Sequence, residues 1–360
     1  MIPGMPRTKG QPSLADRFRL HAEALIRDGR SPLSATLMRA AAADLDASGI
    51  VARLFADVAS PPRSVPQLRL LAALHHLVLA GRAPGLAAFY PSAGGDRPPG
   101  AAWPAAAATI EDHFDWVRDR LRRTVQTNES GRSTVLYSAL LWLVAHFHLP
   151  IRLLEIGASA GLNLIPDRYR YDTGSEVVGD VDSRVRFGDP WHPGPAIDLS
   201  AAAAELDIRG RAGCDANPLR ADDPEDRVTL MSYIWPDELE RIERQRAALD
   251  IAAEAGLPIE QGAAGDWLDR ALRTRPPGEL TVVWHSVFRQ YVEAAEWEDI
   301  EASIRGALGA DPERPVVWLA MEPGHDHLTG FALTCVTDAG DEERVLAGCG
   351  DHGPPVRWQA

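Results

Sequence analysis

The chain has 360 residues, 45% hydrophobic and 24% charged. That balance suits one large or two medium folded domains and excludes a disordered, collagen-like or coiled-coil chain. A formal net charge of −14 argues against general binding to nucleic acid or to an anionic membrane.

Cys214, Cys335 and Cys349 show no C-x-x-C spacing, so neither a disulfide framework nor a zinc ribbon is expected. The first residues, MIPGMPRTKGQPS, carry no apolar signal core. The longest apolar run, Val135 to Ala145, is too short to span a bilayer. A cytoplasmic protein with no membrane partner is expected.

Residues 1–12 read as a loose tail. Helical periodicity starts at Leu14, and Leu14, Phe18, Leu25 and Ile26 share a face that ends at Asp28-Gly29. Helices are predicted over 35–47, 50–58, 67–79, 109–124 and 133–148. The Pro/Gly-rich stretch 91–104 predicts a loop or linker. At Pro150 the texture changes. Apolar runs at 151–159, 279–287 and 315–322 predict buried parallel strands, with weaker strands at 208–216 and 258–264. Helices are predicted over 236–254 and 294–308. Strands at 331–337 and 344–350 flank the turn DAGDEE and predict a hairpin. The fold class is therefore α/β: a Rossmann-like, mostly parallel sheet with a C-terminal antiparallel hairpin, preceded by an all-helical region. The division expected is a helical cap over 13–104 and the α/β domain over 105–360.

The chemistry centres on LLEIGASAGLN, residues 153–163. An apolar strand leads to Glu155, then to Gly157-x-Ser159-x-Gly161, with a helix predicted just beyond. Small residues permit a sharp turn and let a ligand approach a helix N-terminus. Alone, such a turn has low specificity. It resembles motif I of class I S-adenosylmethionine-dependent methyltransferases, with Ser159 in place of the middle glycine. AGCDANPL resembles that family's ribose-binding strand end, and QGAAGDW its adenine-side loop. The resemblance implies S-adenosylmethionine as cofactor, held by Gly157, Ser159, Gly161 and Asn163. It puts Glu155 near the methionine end, Asp215 and Asn217 at the ribose, and Asp266 at the adenine. The implied reaction is methyl transfer to a small molecule. About fifty residues separate Gly161 from Asp215, where about twenty is usual. A hairpin insertion over 169–195, built from RYRYD and RVRFGDPW, accounts for the excess.

Two other readings compete. G-A-S-A-G also fits a nucleophile elbow, with Ser159 as nucleophile, Asp266, and a later histidine among His285, His325, His327 and His352. No upstream H-G-G segment supports it. In the third reading the turn only packs a helix on a sheet, and the protein is a non-catalytic Rossmann-like protein.

Over nearly its full length the chain also resembles a bacterial family called domain of unknown function 2332. The resemblance rests on QTNESGR, LLEIGASAGLNL, YIWPDELERI, VWHSVFRQY and WLAMEPG. It implies a methyltransferase-like core and no particular substrate.

Further residues fall near the expected site. In QTNESGR, Thr127 or Asn128 is expected to cap the following helix. Asn128, Glu129 and Arg132 are substrate-side candidates, as are Trp191 in the insertion and Trp284 at the fourth strand. His285, at that strand's end, is the candidate general base. His325-Asp326-His327 lacks further ligands at a metal-binding spacing and reads as a surface loop, so no metal is expected. The number of subunits is not legible.

Overall fold

The computed structural model describes residues 12–61, 64–324, 330–338 and 340–359. The run His325–His327 and nearly all of the expected N-terminal tail lie outside them. The chain forms two compact units, one of residues 1–127 and 228–243, the other of 128–227 and 244–360.

The first unit is helical. Ser13 starts the helix Leu14–Arg27 through a reciprocal capping box with Asp16. The next long helices, Pro32–Asp46 and Pro66–Leu79, each begin on a proline, whose fixed φ suits a first turn. Phe18, Leu37, Met38, Leu54, Leu70 and Leu74 form the core. The single helix expected over 109–124 is instead two, Trp103–Asp112 and Phe114–Arg120, broken at His113 where φ is −123°. The distant segment 228–243 belongs to this unit through specific bonds. Ser31 Oγ donates to Asp237 Oδ1 at 2.5 Å, and Arg30 pairs with Glu238 at 3.1 Å. His75 meets the Ser232 carbonyl at 3.2 Å. Asp237 and Glu238 lie in YIWPDELERI, so part of that motif is a clasp within the helical unit.

The second unit is built on an eight-stranded sheet. In chain order the strands are β1 (Ile151–Ile156), β2 (Arg170–Asp172), β3 (Val177–Gly179), β4 (Arg186–Gly188), β5 (Ile208–Asp215), β6 (Ile259–Gln261), β7 (Leu280–Ser286), β8 (Val316–Pro323), β9 (Phe331–Val336), β10 (Arg344–Gly350) and β11 (Gly353–Trp358). The main sheet has the order β11-β10-β9-β8-β7-β1-β5-β6. Strands β6, β5, β1, β7 and β8 are mutually parallel, and β9 to β11 continue antiparallel. β1 and β7 are almost wholly buried, as central parallel strands must be. The expected hairpin is β9–β10. β11 goes unanticipated because Pro354 and Pro355 read against a strand. It forms the sheet's edge, where proline is tolerated.

On one face, Leu154, Ile156, Val283 and Trp318 pack with Trp267 and Leu268 of the helix Ala264–Arg273 and with Trp297, Ile300 and Ile304 of the helix Ala294–Ala307. Elsewhere the helix Ser133–Phe147 meets β11, where Trp358 Nε1 donates to Ser138 Oγ at 3.2 Å.

The insertion differs from the expected hairpin of RYRYD and RVRFGDPW. Those segments supply β2 and β4, which pair in parallel. The antiparallel partner of β2 is β3, giving the order β3-β2-β4. Tyr171 of β2 stacks on Tyr137 at 4.3 Å, on Phe187 at 5.4 Å and on Trp191 at 5.5 Å. Each such pair contributes roughly 0.5–1.5 kcal/mol beyond its buried area, which fixes the insertion to the helix Ser133–Phe147.

Candidate functional site

The chain runs from β1 outward to β5 and β6, then returns to β7 on the other side of β1. The carboxyl ends of β1 and β7 therefore flank a switch in strand order, the place where open α/β sheets bind ligands. Most residues singled out in the sequence gather at this end.

The loop after β1 makes its turn with Gly157 at φ +73°, Ser159 at +52° and Gly161 at +75°. Glycine tolerates this region, but serine there stores strain of about 1–3 kcal/mol. Side chains of the protein pack closely on the two glycines. A Cβ on Gly157 would lie 2.4 Å from the Phe288 ring, and one on Gly161 would meet Leu257 and Ile259 at 2.9 and 3.0 Å. The expected α-helix after Gly161 is absent. Residues Leu162–Leu164 make one 3-10 turn, because Pro166 denies the next turn its N–H and biases Ile165 away from helix.

The loop's N–H groups find partners inside the protein. Those of Gly157 and Ala158 donate to the Cys214 carbonyl at 2.9 and 3.0 Å, and that of Gly161 to Ala158 at 2.7 Å. Ser159 N–H donates to Asp215 Oδ2 at 2.9 Å, and Leu162 N–H to Asn128 Oδ1 at 3.1 Å. Asp215 also accepts from its own turn, Asn217 N–H to Oδ1 at 2.8 Å. Asp215 thus pins the loop from the neighbouring strand end. Asn128 does so from QTNESGR and does not cap the following helix as expected. The helix Ser133–Phe147 starts with no side-chain cap; Glu129 caps the 3-10 turn Ser130–Arg132 before it, accepting from Gly131 N–H at 2.9 Å.

Glu155 lies 2% exposed, and its Oε2 has no hydrogen-bond partner among the described residues. Burial raises its carboxyl well above the usual range, against the opposing pull of Arg132, Asn163 and Trp284. Burial thus favours the neutral, protonated form of this carboxyl over the charged one. Trp284 stands beside it in register on β7. Asn163 accepts from Ser133 Oγ at 2.8 Å. Arg132 is buried, with Nε on the Asp351 carbonyl at 3.3 Å.

Because successive strand residues alternate faces, Glu155 and Trp284 lie opposite the core that holds Leu154, Ile156 and Val283. His285 lies on the core side. Its ring is 1% exposed, with Trp297 at 5.3 Å, Trp318 at 6.0 Å and Phe288 at 6.0 Å between ring centres. Its Nδ1 meets Glu322 Oε1 at 2.9 Å, while Nε2 has no hydrogen-bond partner among the described residues. Glu322 is the residue that sequence reasoning missed. It lies in the quoted segment WLAMEPG, but its meeting with His285 depends on β7–β8 register, which pairs His285 with Ala320. Just past β7, Val287 has φ +52°. For a β-branched residue that is an outlier of the kind found at functional sites.

Two expected residues lie elsewhere. Trp191 is buried in the aromatic stack, its Nε1 donating to the Thr134 carbonyl at 2.9 Å, which is a packing role. Asp266 is exposed in the first turn of the helix Ala264–Arg273, where a carboxylate complements the helix dipole.

Beside the loop is a cavity of 490 Å³. It is lined by Ala160 of the loop, Pro218 to Asp222 beyond β5, Ile259 and Gln261 of β6, and Ala252, Ala253, Gly256 and Leu257 before β6. The size suits a small-molecule ligand.

A family model described as an uncharacterised protein conserved in bacteria, domain of unknown function 2332, matches residues 15–358, and the chain belongs to that family. No curated protein and no solved structure matches it.

Proposed function

We propose that the chain transfers a methyl group from S-adenosylmethionine to a small molecule. One observation carries the reading. The 490 Å³ cavity draws its lining from the loop after β1, the segment after β5 and the end of β6. These are the three places whose residues resemble methyltransferase motifs.

The donor set fits that cofactor better than a dinucleotide. A pyrophosphate needs free loop N–H groups and a helix N-terminus. Here five loop N–H groups already have partners and only a 3-10 turn follows. A nucleoside without phosphates needs neither. Asp215 accepts two N–H bonds, and an ionised carboxylate has about four lone-pair sites, so it can still accept from a ribose diol. Ala160, Leu219, Leu257 and Ile259 would enclose the adenosine, with Glu155 toward the methionine end. When bound, the cofactor supplies an electrophilic methyl carbon. The chain's own task is to hold the acceptor in line with it, keep water out and take up a proton. His285 is the residue suited to the last step, because its Nε2 has no partner among the described residues.

A serine-hydrolase reading has one observation in its favour, the positive φ of Ser159, which a nucleophile elbow requires. Against it, no α-helix follows the turn and His285 Nε2 makes no hydrogen bond to Ser159.

Isothermal titration with S-adenosylmethionine, S-adenosylhomocysteine and NADH tests the proposal. Dissociation constants on the order of micromolar are expected for the first two and no binding for NADH. Ala253→Trp, which fills the cavity from a half-buried position, should abolish binding with the fold intact. Absence of binding at millimolar ligand overturns the reading. Fluorophosphonate labelling of Ser159 would then support the hydrolase.

A further inference from the structure

We propose that Glu322 is a positioning residue that fixes His285 as a base, and that the Phe288 ring covers that base. The inference rests on the methyl-transfer reading only for the purpose of the base. Its geometry stands without a cofactor.

One oxygen organises the arrangement. Glu322 Oε1 accepts from His285 Nδ1 at 2.9 Å, from Phe288 N–H at 2.8 Å and from Arg289 N–H at 3.1 Å. Burial alone would raise this carboxyl, but the bonds from His285 and the two N–H groups outweigh it and hold it below the usual range. An ionised carboxylate has no proton to give, so His285 Nδ1 is the donor. A neutral imidazole then carries its lone pair on Nε2, the nitrogen that is buried with no partner among the described residues.

Three aromatic rings enclose the imidazole. Trp297 and Trp318 are buried members of the core between the sheet and the helix Ala294–Ala307. They are held from outside by Arg289, 4.9 Å from the Trp297 ring centre, and Arg305, 5.7 Å from that of Trp318. Phe288 differs. It is half-buried, it follows Val287 at φ +52°, and its ring also lies against Gly157 of the β1 loop. It therefore touches the base on one side and the candidate cofactor loop on the other. Of the three rings it alone can leave without opening the core. Its backbone N–H is tied to the same oxygen as the base, so side-chain rotation would expose Nε2 while Glu322 keeps the tautomer.

The first test is nitrogen NMR on the whole protein carrying ¹⁵N-histidine. The proposal expects the His285 proton on Nδ1 in the wild type, the preference lost in Glu322→Gln and restored in Glu322→Asp. A proton on Nε2 in the wild type overturns the Glu322 assignment. The second test is carbethoxylation by diethyl pyrocarbonate, mapped by peptide mass spectrometry. His285 should label at least tenfold more slowly than the exposed His148 in the wild type, and at least tenfold faster in Phe288→Ala than in the wild type. Phe288→Leu serves if the alanine variant fails to fold by circular dichroism. A folded Phe288 variant with unchanged His285 labelling, or wild-type labelling as fast as that of His148, overturns the cover. Neither measurement uses S-adenosylmethionine, so failure here and failure of cofactor binding are separate results.

Discussion

Replacing Asp215 by alanine should loosen the loop after β1 even with no ligand present. The carboxylate accepts two backbone N–H groups, and their surroundings differ. Asn217 is exposed, so water replaces that bond at little net loss. Ser159 is 5% exposed and its N–H has Asp215 Oδ2 at 2.9 Å. A hydrogen bond to a charged group contributes roughly 1.5–3 kcal/mol, and a buried donor left unmet costs about 1–3 kcal/mol. These are two views of one loss, so about 2 kcal/mol is expected. Ser159 also stands at φ +52°, a strain the bond helps to hold. Local opening of the loop should therefore become about 30-fold more frequent. Hydrogen exchange at the Ser159 amide reads this directly, by NMR or residue-resolved mass spectrometry. Asp215→Asn keeps one acceptor oxygen and should lose about half as much. Adding Ser159→Gly to Asp215→Ala should restore part of the protection, since glycine takes that φ without penalty. Ser159 exchange within twofold of wild type in Asp215→Ala would refute the reasoning, as would equal effects of alanine and asparagine.

Gly157→Ala should destabilise the second unit by roughly 2–4 kcal/mol, because φ is +73° and the new Cβ would lie 2.4 Å from the Phe288 ring; a urea series followed by tryptophan fluorescence checks it, and combination with Phe288→Ala should recover the steric part only. Acid should weaken the helical unit. Burial depresses the His75 pKa from 6.5 to about 4, and burial with Arg120 and Arg82 nearby depresses that of His76 to about 3. Above pH 6.5 both are neutral folded or unfolded, and nothing changes. Between pH 6.5 and 4 the unfolded chain takes up protons that the folded one refuses, so stability falls, by roughly 2 kcal/mol per histidine at pH 5. Urea midpoints at pH 7 and 5 measure this, and His75→Gln should remove about half of the difference.

The strands were legible where one residue type ran on. IRLLEI, LTVVWHS and VVWLAME are long apolar runs, and a fully buried parallel strand leaves that signature. Within the insertion, the segments of β2 and β4 were legible as strands, but β3 and the pairing were not, because each strand has three residues, too few for a period. Its parallel β2–β4 pairing joins segments no turn connects. The missing helix after Gly161 was legible in principle. Pro166 stands where its second turn would run. At the candidate site, the positions of Glu155, Ser159 and Asp215 beside strand ends were legible in the sequence. Glu322 and Phe288 were not, since their importance arises from register and from a contact with Gly157. Polar residues of QTNESGR resembled a helix cap because caps and tertiary anchors use the same groups.

The helical unit has a consequence for the order in which the protein can be made. Its last segment, residues 228–243, follows 100 residues of the other unit, Asn128 to Arg227. At ribosomal rates of about 5–20 residues per second, the partners of Ser31, Arg30 and His75 arrive on the order of ten seconds after residue 127. For that interval the nascent N-terminal helices lack Asp237, Glu238 and the Ser232 carbonyl. No single uninterrupted stretch of the gene encodes either unit by itself. A protease cut between 127 and 228 would leave fragments that must find each other again, and a fragment ending at 127 would expose the surface that residues 228–243 cover.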